Sequence, residues 1–129
     1  MFQSNVYSYV NVLDKAADAS WVRNETINNN IANVDTPGYK RQEVQFESVL
    51  RSELKNSRYT DLDSKVENIK LSRLRSNVVT DSASYSYRID GNNVDIDTEN
   101  VELASNQIKY NGLISSISNE FTRLKSVLK

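Results

Sequence analysis

The sequence predicts a mainly α protein whose long N- and C-terminal helices pair as a coiled coil, with an extended arm and a small β-hairpin element between them. Three observations carry this expectation. Apolar residues recur every seven positions at both ends of the chain, the period of a packed helical seam. Only three Gly and one Pro occur in 129 residues, too little turn punctuation for a multi-stranded sandwich or barrel. Apolar residues make up 38% and charged residues 26%, so material for a large self-contained core is scarce. The organisation expected is a helix over 1–34, an arm, loop and short β element over 35–96, and a second helix over 97–129.

In the first helix, Val6, Leu13, Ser20, Ile27 and Val34 form one row, and Val10, Ala17, Asn24 and Ile31 form the other. Ser20 and Asn24 interrupt the seam; polar groups there cost stability but can fix register. The helix is expected to end at Thr36-Pro37-Gly38-Tyr39, where Pro and Gly occupy the second and third positions of a type II turn. Pro37 also biases Thr36 away from helical geometry. Just upstream, Asn28, Asn29, Asn30 and Asn33 carry side chains that can bond backbone groups and compete with the helix.

The arm alternates Val44 and Phe46 with polar residues, and Phe46–Leu54 suits a short helix. Residues 56–77 read as loop or marginal helix. Tyr85, Tyr87 and Ile89 alternate with Ser86 and Arg88 as a short strand, and Asp90-Gly91-Asn92-Asn93 is a turn that could close a hairpin onto Val94 and Ile96. The last helix starts at Asp97-Thr98-Glu99, an N-cap candidate followed by an acid that suits the positive end of the helix dipole. Its rows are Leu103, Tyr110, Ile117 and Leu124 beside Gln107, Ile114, Phe121 and Leu128. Each helix of about 30 residues spans roughly 45 Å, and neither can bury its stripe alone. The expected helix-pair seam is therefore Val10, Leu13, Ile27 and Ile31 against Leu103, Tyr110, Ile114, Ile117, Phe121 and Leu124.

Composition removes most chemistry. The chain has no Cys and no His, which excludes disulfides, Cys/His zinc sites, thiol nucleophiles and His-based triads. Lys plus Arg (16) nearly balances Asp plus Glu (17), so the positive footprint of a nucleic-acid binder is missing. No apolar run approaches a membrane span, and residues 1–11 are uncharged, unlike a cleavable signal peptide. Paired carboxylates remain: Asp90, Asp95, Asp97, Glu99 and Glu102 cluster, but a turn followed by an acidic helix start explains them better than a hydrolase does. A calcium loop from Asp95 would have Asn100 at the Gly position and Asn106 at the Glu position, and so fails. Asn24-Glu25-Thr26 matches a glycosylation pattern inside a helix, a chance occurrence. No phosphate-binding or dinucleotide motif is present, and no cofactor is expected. The seven Tyr read either as interface residues, Tyr39 foremost, or as half-buried packing residues.

Two segments carry a resemblance. Asn29-Asn30-Ile31-Ala32-Asn33-Val34-Asp35-Thr36-Pro37-Gly38-Tyr39-Lys40 resembles the signature of flagellar rod and hook proteins. The stretch from Asp90 to Glu99, with Leu103-Ala104-Ser105-Asn106-Gln107-Ile108-Lys109-Tyr110, is similar to the proximal rod proteins of the basal body. The resemblance implies a structural subunit, not an enzyme, that packs helix pairs around a hollow axis, transmits torque and lines an export channel. It implies self-assembly with other rod proteins and contact with the FliE adaptor and the flagellar type III export gate. It also implies location in the basal body across the periplasm, after export without signal cleavage. Asn30, Asn33, Thr36, Pro37, Gly38 and Tyr39 would set the turn and arm, and Phe46 with Leu50 looks like a short export motif. The rival readings are another rod or hook component, or a coiled-coil adaptor or secreted helical protein. An isolated rod subunit is expected to be partly disordered, because single amphipathic helices are marginal without partners.

Overall fold

The computed structural model describes residues 5–81 and 88–128. In chain order it contains α1 (Asn5–Ala32), β1 (Gln42–Gln45), α2 (Glu47–Lys55), α3 (Leu62–Glu67), a 3-10 turn (Leu71–Arg73), β2 (Asn77–Thr80) and α4 (Ile96–Val127). The protein is mainly helical, with long helices at its two ends and one small antiparallel sheet.

No Gly or Pro interrupts α1, and its 28 residues span about 42 Å. The Asn run does not break it: the helix continues to Ala32, and the Asn33 amide side chain donates to Asn29 O at 2.7 Å. The start of α4 differs from the sequence expectation. Asp95, not Asp97, is the N-cap; its extended backbone lets the carboxylate accept from Asp97 N at 3.0 Å and Thr98 Oγ1 at 3.2 Å. Asp97 and Glu99 then fall in the first turn, where their charge suits the dipole.

The two long helices run antiparallel. Asn30 of α1 meets Glu99 of α4, while about two to three turns away Asn106 Nδ2 donates to Ser20 O at 2.8 Å. The Trp21 and Tyr110 rings stand 6.3 Å apart.

The β element is present but built elsewhere. β1 pairs with β2, from Gln42 opposite Thr80 to Gln45 opposite Asn77. Val94 is buried in irregular backbone and Ile96 is the first residue of α4, so neither forms a strand. Tyr85 and Tyr87 of the expected strand lie outside the described residues, as does the side chain of Val6.

The middle segment is extended only briefly. After β1 it turns back along α1, where Ala19, Phe46 and Leu74 form a buried cluster that Val12, Ala16, Leu50, Ile69 and Leu71 surround. Small alanines on this face of α1 let the segment approach closely, and Tyr9 OH donates to Asp63 Oδ1 at 2.6 Å. Helix α1 therefore has two buried faces, one toward α4 and one toward the returning segment.

Candidate functional site

The two signature segments meet in a buried polar junction where α1 ends, β1 begins and α4 starts. Asn30 is fully buried and uses its whole hydrogen-bonding capacity. Its Oδ1 accepts from Gln42 N at 2.9 Å and from Tyr39 OH at 3.0 Å. Its Nδ2 donates to Gln42 O at 2.7 Å and Glu99 Oε2 at 3.2 Å. The amide thus stands in for a neighbouring strand at Gln42. Glu99 is also fully buried, and Arg41 Nε donates to its Oε1 at 2.9 Å. A buried carboxylate is tolerated because both oxygens are bonded.

Around this centre, backbone bonds tie the two motifs together. Tyr39 N donates to Thr36 O at 3.2 Å, closing the turn, and Gly38 has φ +73°, the geometry a type II turn demands of its third residue. Gly38 N then donates to Asp90 O at 2.7 Å, and Arg41 N to Asn93 Oδ1 at 2.6 Å. Asn92 holds the turn that follows α1. Its Nδ2 lies 2.9, 3.0 and 2.8 Å from the carbonyls of Asn33, Val34 and Thr36, while its Oδ1 accepts from Val94 N. These carbonyls belong to the turn that follows α1, so Asn92 fixes the path of the chain as it leaves the helix.

The electrostatics follow from these contacts. Burial alone would lower the Arg41 pKa, but the hydrogen bond and charge of Glu99 outweigh it and hold Arg41 above its ordinary value. Burial, with the nearby Glu99 charge, raises the Tyr39 hydroxyl. Glu47 behaves oppositely. Burial opposes its ionisation, yet hydrogen bonds from Arg23 and Lys109 bring it from 4.5 down to about 2. Arg23 Nη1 reaches Glu47 Oε1 at 2.9 Å and Lys109 Nζ reaches it at 3.0 Å, so one carboxylate links α1, α2 and α4.

The acidic cluster has structural roles: Asp95 caps α4, Glu99 sits in the junction, and Asp90 Oδ1 accepts from Asn92 N at 3.0 Å. Among the described residues no group of His, Cys, Asp or Glu is arranged to hold a metal ion, and no helix is long and apolar enough to cross a membrane.

The expected turn residues Asn30, Asn33, Thr36, Gly38 and Tyr39 all take part in this junction; Pro37 is exposed within its turn. The seam residues divide. Ile27 is buried, and Val10, Leu13, Ile31, Leu103, Tyr110, Ile117 and Leu124 are half-buried. Ile114 and Phe121 stand 44% and 52% exposed. Within the single chain the second row that closes against α1 is instead Glu99, Asn106, Leu113 and Glu120, all less exposed than the 107/114/121/128 row. Ser20 Oγ and Asn106 Oδ1, both buried in this interface, have no hydrogen-bond partner. Phe46 is buried and Leu50 packs on its cluster, so the candidate export motif belongs to the folded interior.

Arg41, Arg23 and Glu47 have no role in the sequence expectation, and Asn92 has only that of a turn residue. Arg41 and Asn92 lie inside or beside the two motifs, which was the available signal. Nothing in the spacing of Arg23 and Glu47 announces their pairing.

A family model, "Flagella basal body rod protein", matches residues 14–40, the later part of α1 and the turn. Over the whole chain, the flagellar basal body rod protein FlgB of Bacillus subtilis is 36% identical across 129 residues, covering 99% of this chain and 95% of that protein. The protein of the same description from Borreliella burgdorferi is 35% identical, covering 87% and 89% respectively. That of Escherichia coli is 30% identical, covering 83% of both chains.

Proposed function

The chain belongs to the FlgB-type family of flagellar basal body rod proteins, structural subunits of the proximal rod and not enzymes, and from that premise we propose how its parts serve assembly. Helices α1 and α4 act as the packing core, closing as a coiled coil through Val10, Leu13, Ile27 and Ile31 with Leu103, Tyr110, Ile117 and Leu124. Asn5–Ala32 then works as first helix and Ile96–Val127 as second helix, with the arm between them. The observation that carries this reading is the polar junction, which locks both helix ends and the start of the arm at one point. A subunit that passes torque to its neighbours needs such a fixed angle, because a hinge there would absorb the load.

Self-assembly with other rod components goes with the family. Beyond it, the reading extends to contact with the FliE adaptor and the type III export gate, passage without a cleaved signal, and a position spanning the periplasm around an export channel. Phe46 and Leu50 can serve as an export motif only while the chain is unfolded, since folding buries Phe46. The test is Leu124→Asp, which sets a carboxylate into the seam at a cost on the order of several kcal/mol. The variant should be made at normal levels but be missing from isolated basal bodies, with motility lost. Normal swimming overturns the seam assignment.

A further inference from the structure

The returning middle segment carries a surface that neither the junction nor the helix pair uses. On α2, Glu47, Leu50, Arg51, Leu54 and Lys55 recur at i, i+3, i+4, i+7 and i+8, one face of a helix. Leu50 leans on the Phe46 cluster, which covers that face only in part. Both leucines stay half-buried, and with Lys65 of α3 they line a groove of about 560 Å³ whose exposed wall is chiefly apolar. Lys65 is also a wall of a second depression of about 440 Å³, lined by Arg58, Lys70 and Arg73 together with Ile69. The acid there, Glu53, meets Arg73 in a loose pair at 3.8 Å.

Arg51, Lys55, Arg58, Lys65 and Lys70 have no ion-pair partner among the described residues. Helix dipoles account for Lys55 and Lys65, which sit in the last turns of α2 and α3. They do not account for Arg58 and Lys70, which lie outside the α-helices. Arg58 is held by Tyr59: its guanidinium lies 5.2 Å from the ring centre, and its Nη2 donates to the hydroxyl at 3.2 Å. Cations gathered in one depression repel each other and concentrate anions there.

We propose that this surface, basic on one side of Lys65 and apolar on the other, docks an acidic amphipathic peptide segment of a different protein. Carboxylates of that segment meet Lys65 and Lys70, and an apolar side chain enters beside Leu54. The chemistry selects this partner in two steps. Unpaired Lys and Arg call for carboxylate or phosphate, but a phosphate polymer would leave the apolar groove unused. A bilayer takes up apolar residues that protrude from a surface, whereas Leu50 and Leu54 line a groove that receives a side chain. The surface lies outside residues 14–40, the stretch that matches the rod-family model, and the proposal goes beyond the rod reading without depending on it.

The probe is a dye-labelled peptide of Glu with Leu at helical spacing, titrated with the full-length chain and followed by fluorescence anisotropy. The wild-type chain should bind it, and more weakly as salt rises. Lys65→Gln combined with Lys70→Gln should cut affinity roughly tenfold, and Leu54→Gln about fivefold, with far-ultraviolet dichroism unchanged in each. Lys125→Gln, on an exposed lysine of α4, should bind as the wild type does. Peptides with Gln for Glu, or Ser for Leu, should each bind less. No binding by the wild type, wild-type affinity in the Lys65–Lys70 variant, or an equal loss with Lys125→Gln overturns the site. Tripolyphosphate or phosphatidylglycerol vesicles that bind as tightly as the peptide overturn the choice of partner. So does self-association that the Lys65–Lys70 change abolishes, which would make the occupant a second copy. None of these outcomes bears on the rod reading, which fails only if the chain is absent from basal bodies.

Discussion

Replacing Asn30 by Asp changes one atom in the junction and reverses its electrostatics. The Nδ2 that donates to Gln42 O at 2.7 Å and to Glu99 Oε2 at 3.2 Å becomes an oxygen facing two acceptors. Two unit charges at about 3.2 Å interact by roughly 5 kcal/mol at an effective dielectric constant near 20. Arg41, bonded to Glu99 at 2.9 Å, offsets part of this, while two lost hydrogen bonds add about 1–3 kcal/mol each. The net destabilisation expected at pH 7.5 is about 3–5 kcal/mol. The sign with pH is fixed. The introduced carboxyl has a folded-state pKa raised above its unfolded value of about 3.9. Its penalty is therefore smallest below that value, grows as pH rises, and levels off above the folded pKa. Near pH 4 the protonated carboxyl can donate to one of the two acceptors, leaving a deficit of about 1–2 kcal/mol. Urea unfolding of variant and wild type, compared at pH 4.0 and at pH 7.5, removes the contribution of other groups. A loss under 1 kcal/mol, or an equal loss at both pH values, would refute the account of the junction.

Other perturbations separate its neighbours. Asn92→Ala removes a donor from three turn carbonyls at 2.8–3.0 Å; stability should fall by about 2–3 kcal/mol, and amide exchange over residues 33–39 should accelerate most. Gly38→Ala puts a Cβ into open space but keeps φ +73°, so only backbone strain of about 1 kcal/mol is expected, seen as a fall in melting temperature of roughly 3–5 °C. The Glu47 pKa is lowered to about 2, so its ion pairs contribute fully above pH 4.5 and are lost as pH falls through 2. With 47% of its side chain exposed, screening leaves less than about 1 kcal/mol. Glu47→Gln should therefore cost little at pH 7 and flatten the wild-type loss of stability between pH 4.5 and 2, measured by acid titration of the far-ultraviolet dichroism.

What the sequence made legible and what it hid have physical causes. Both long helices follow from heptad rows, and the turn follows from Pro37 and Gly38, because those signals are local. The return of the middle segment along α1 was not legible. Phe46, Ile69 and Leu74 are irregularly spaced, and they find Ala16 and Ala19 only in three dimensions. Strand β2 pairs with β1 across more than thirty intervening residues, whereas local alternation favoured a nearer hairpin.

The seam shows the limit most clearly. A seven-residue repeat gives the period of a helix face but not which of two adjacent rows turns inward. In α4 the row of Leu103, Tyr110, Ile117 and Leu124 can close with the 107/114/121/128 row on one side or the 99/106/113/120 row on the other. Apolarity favours the first, since Ile114, Phe121 and Leu128 outweigh Glu99, Asn106, Leu113 and Glu120. The folded chain closes with the second, and the reason lies at the far end of the helix. Glu99 is drawn into the junction by Arg41 and Asn30, one turn from the start of α4, and that bond fixes the rotation of the whole helix. The polar junction thus sets the azimuth against the local hydrophobic preference, and the better apolar row is left facing outward. A monomer designed for its own stability would bury that row. A chain that leaves it exposed at helical spacing suits the self-assembly that goes with its family.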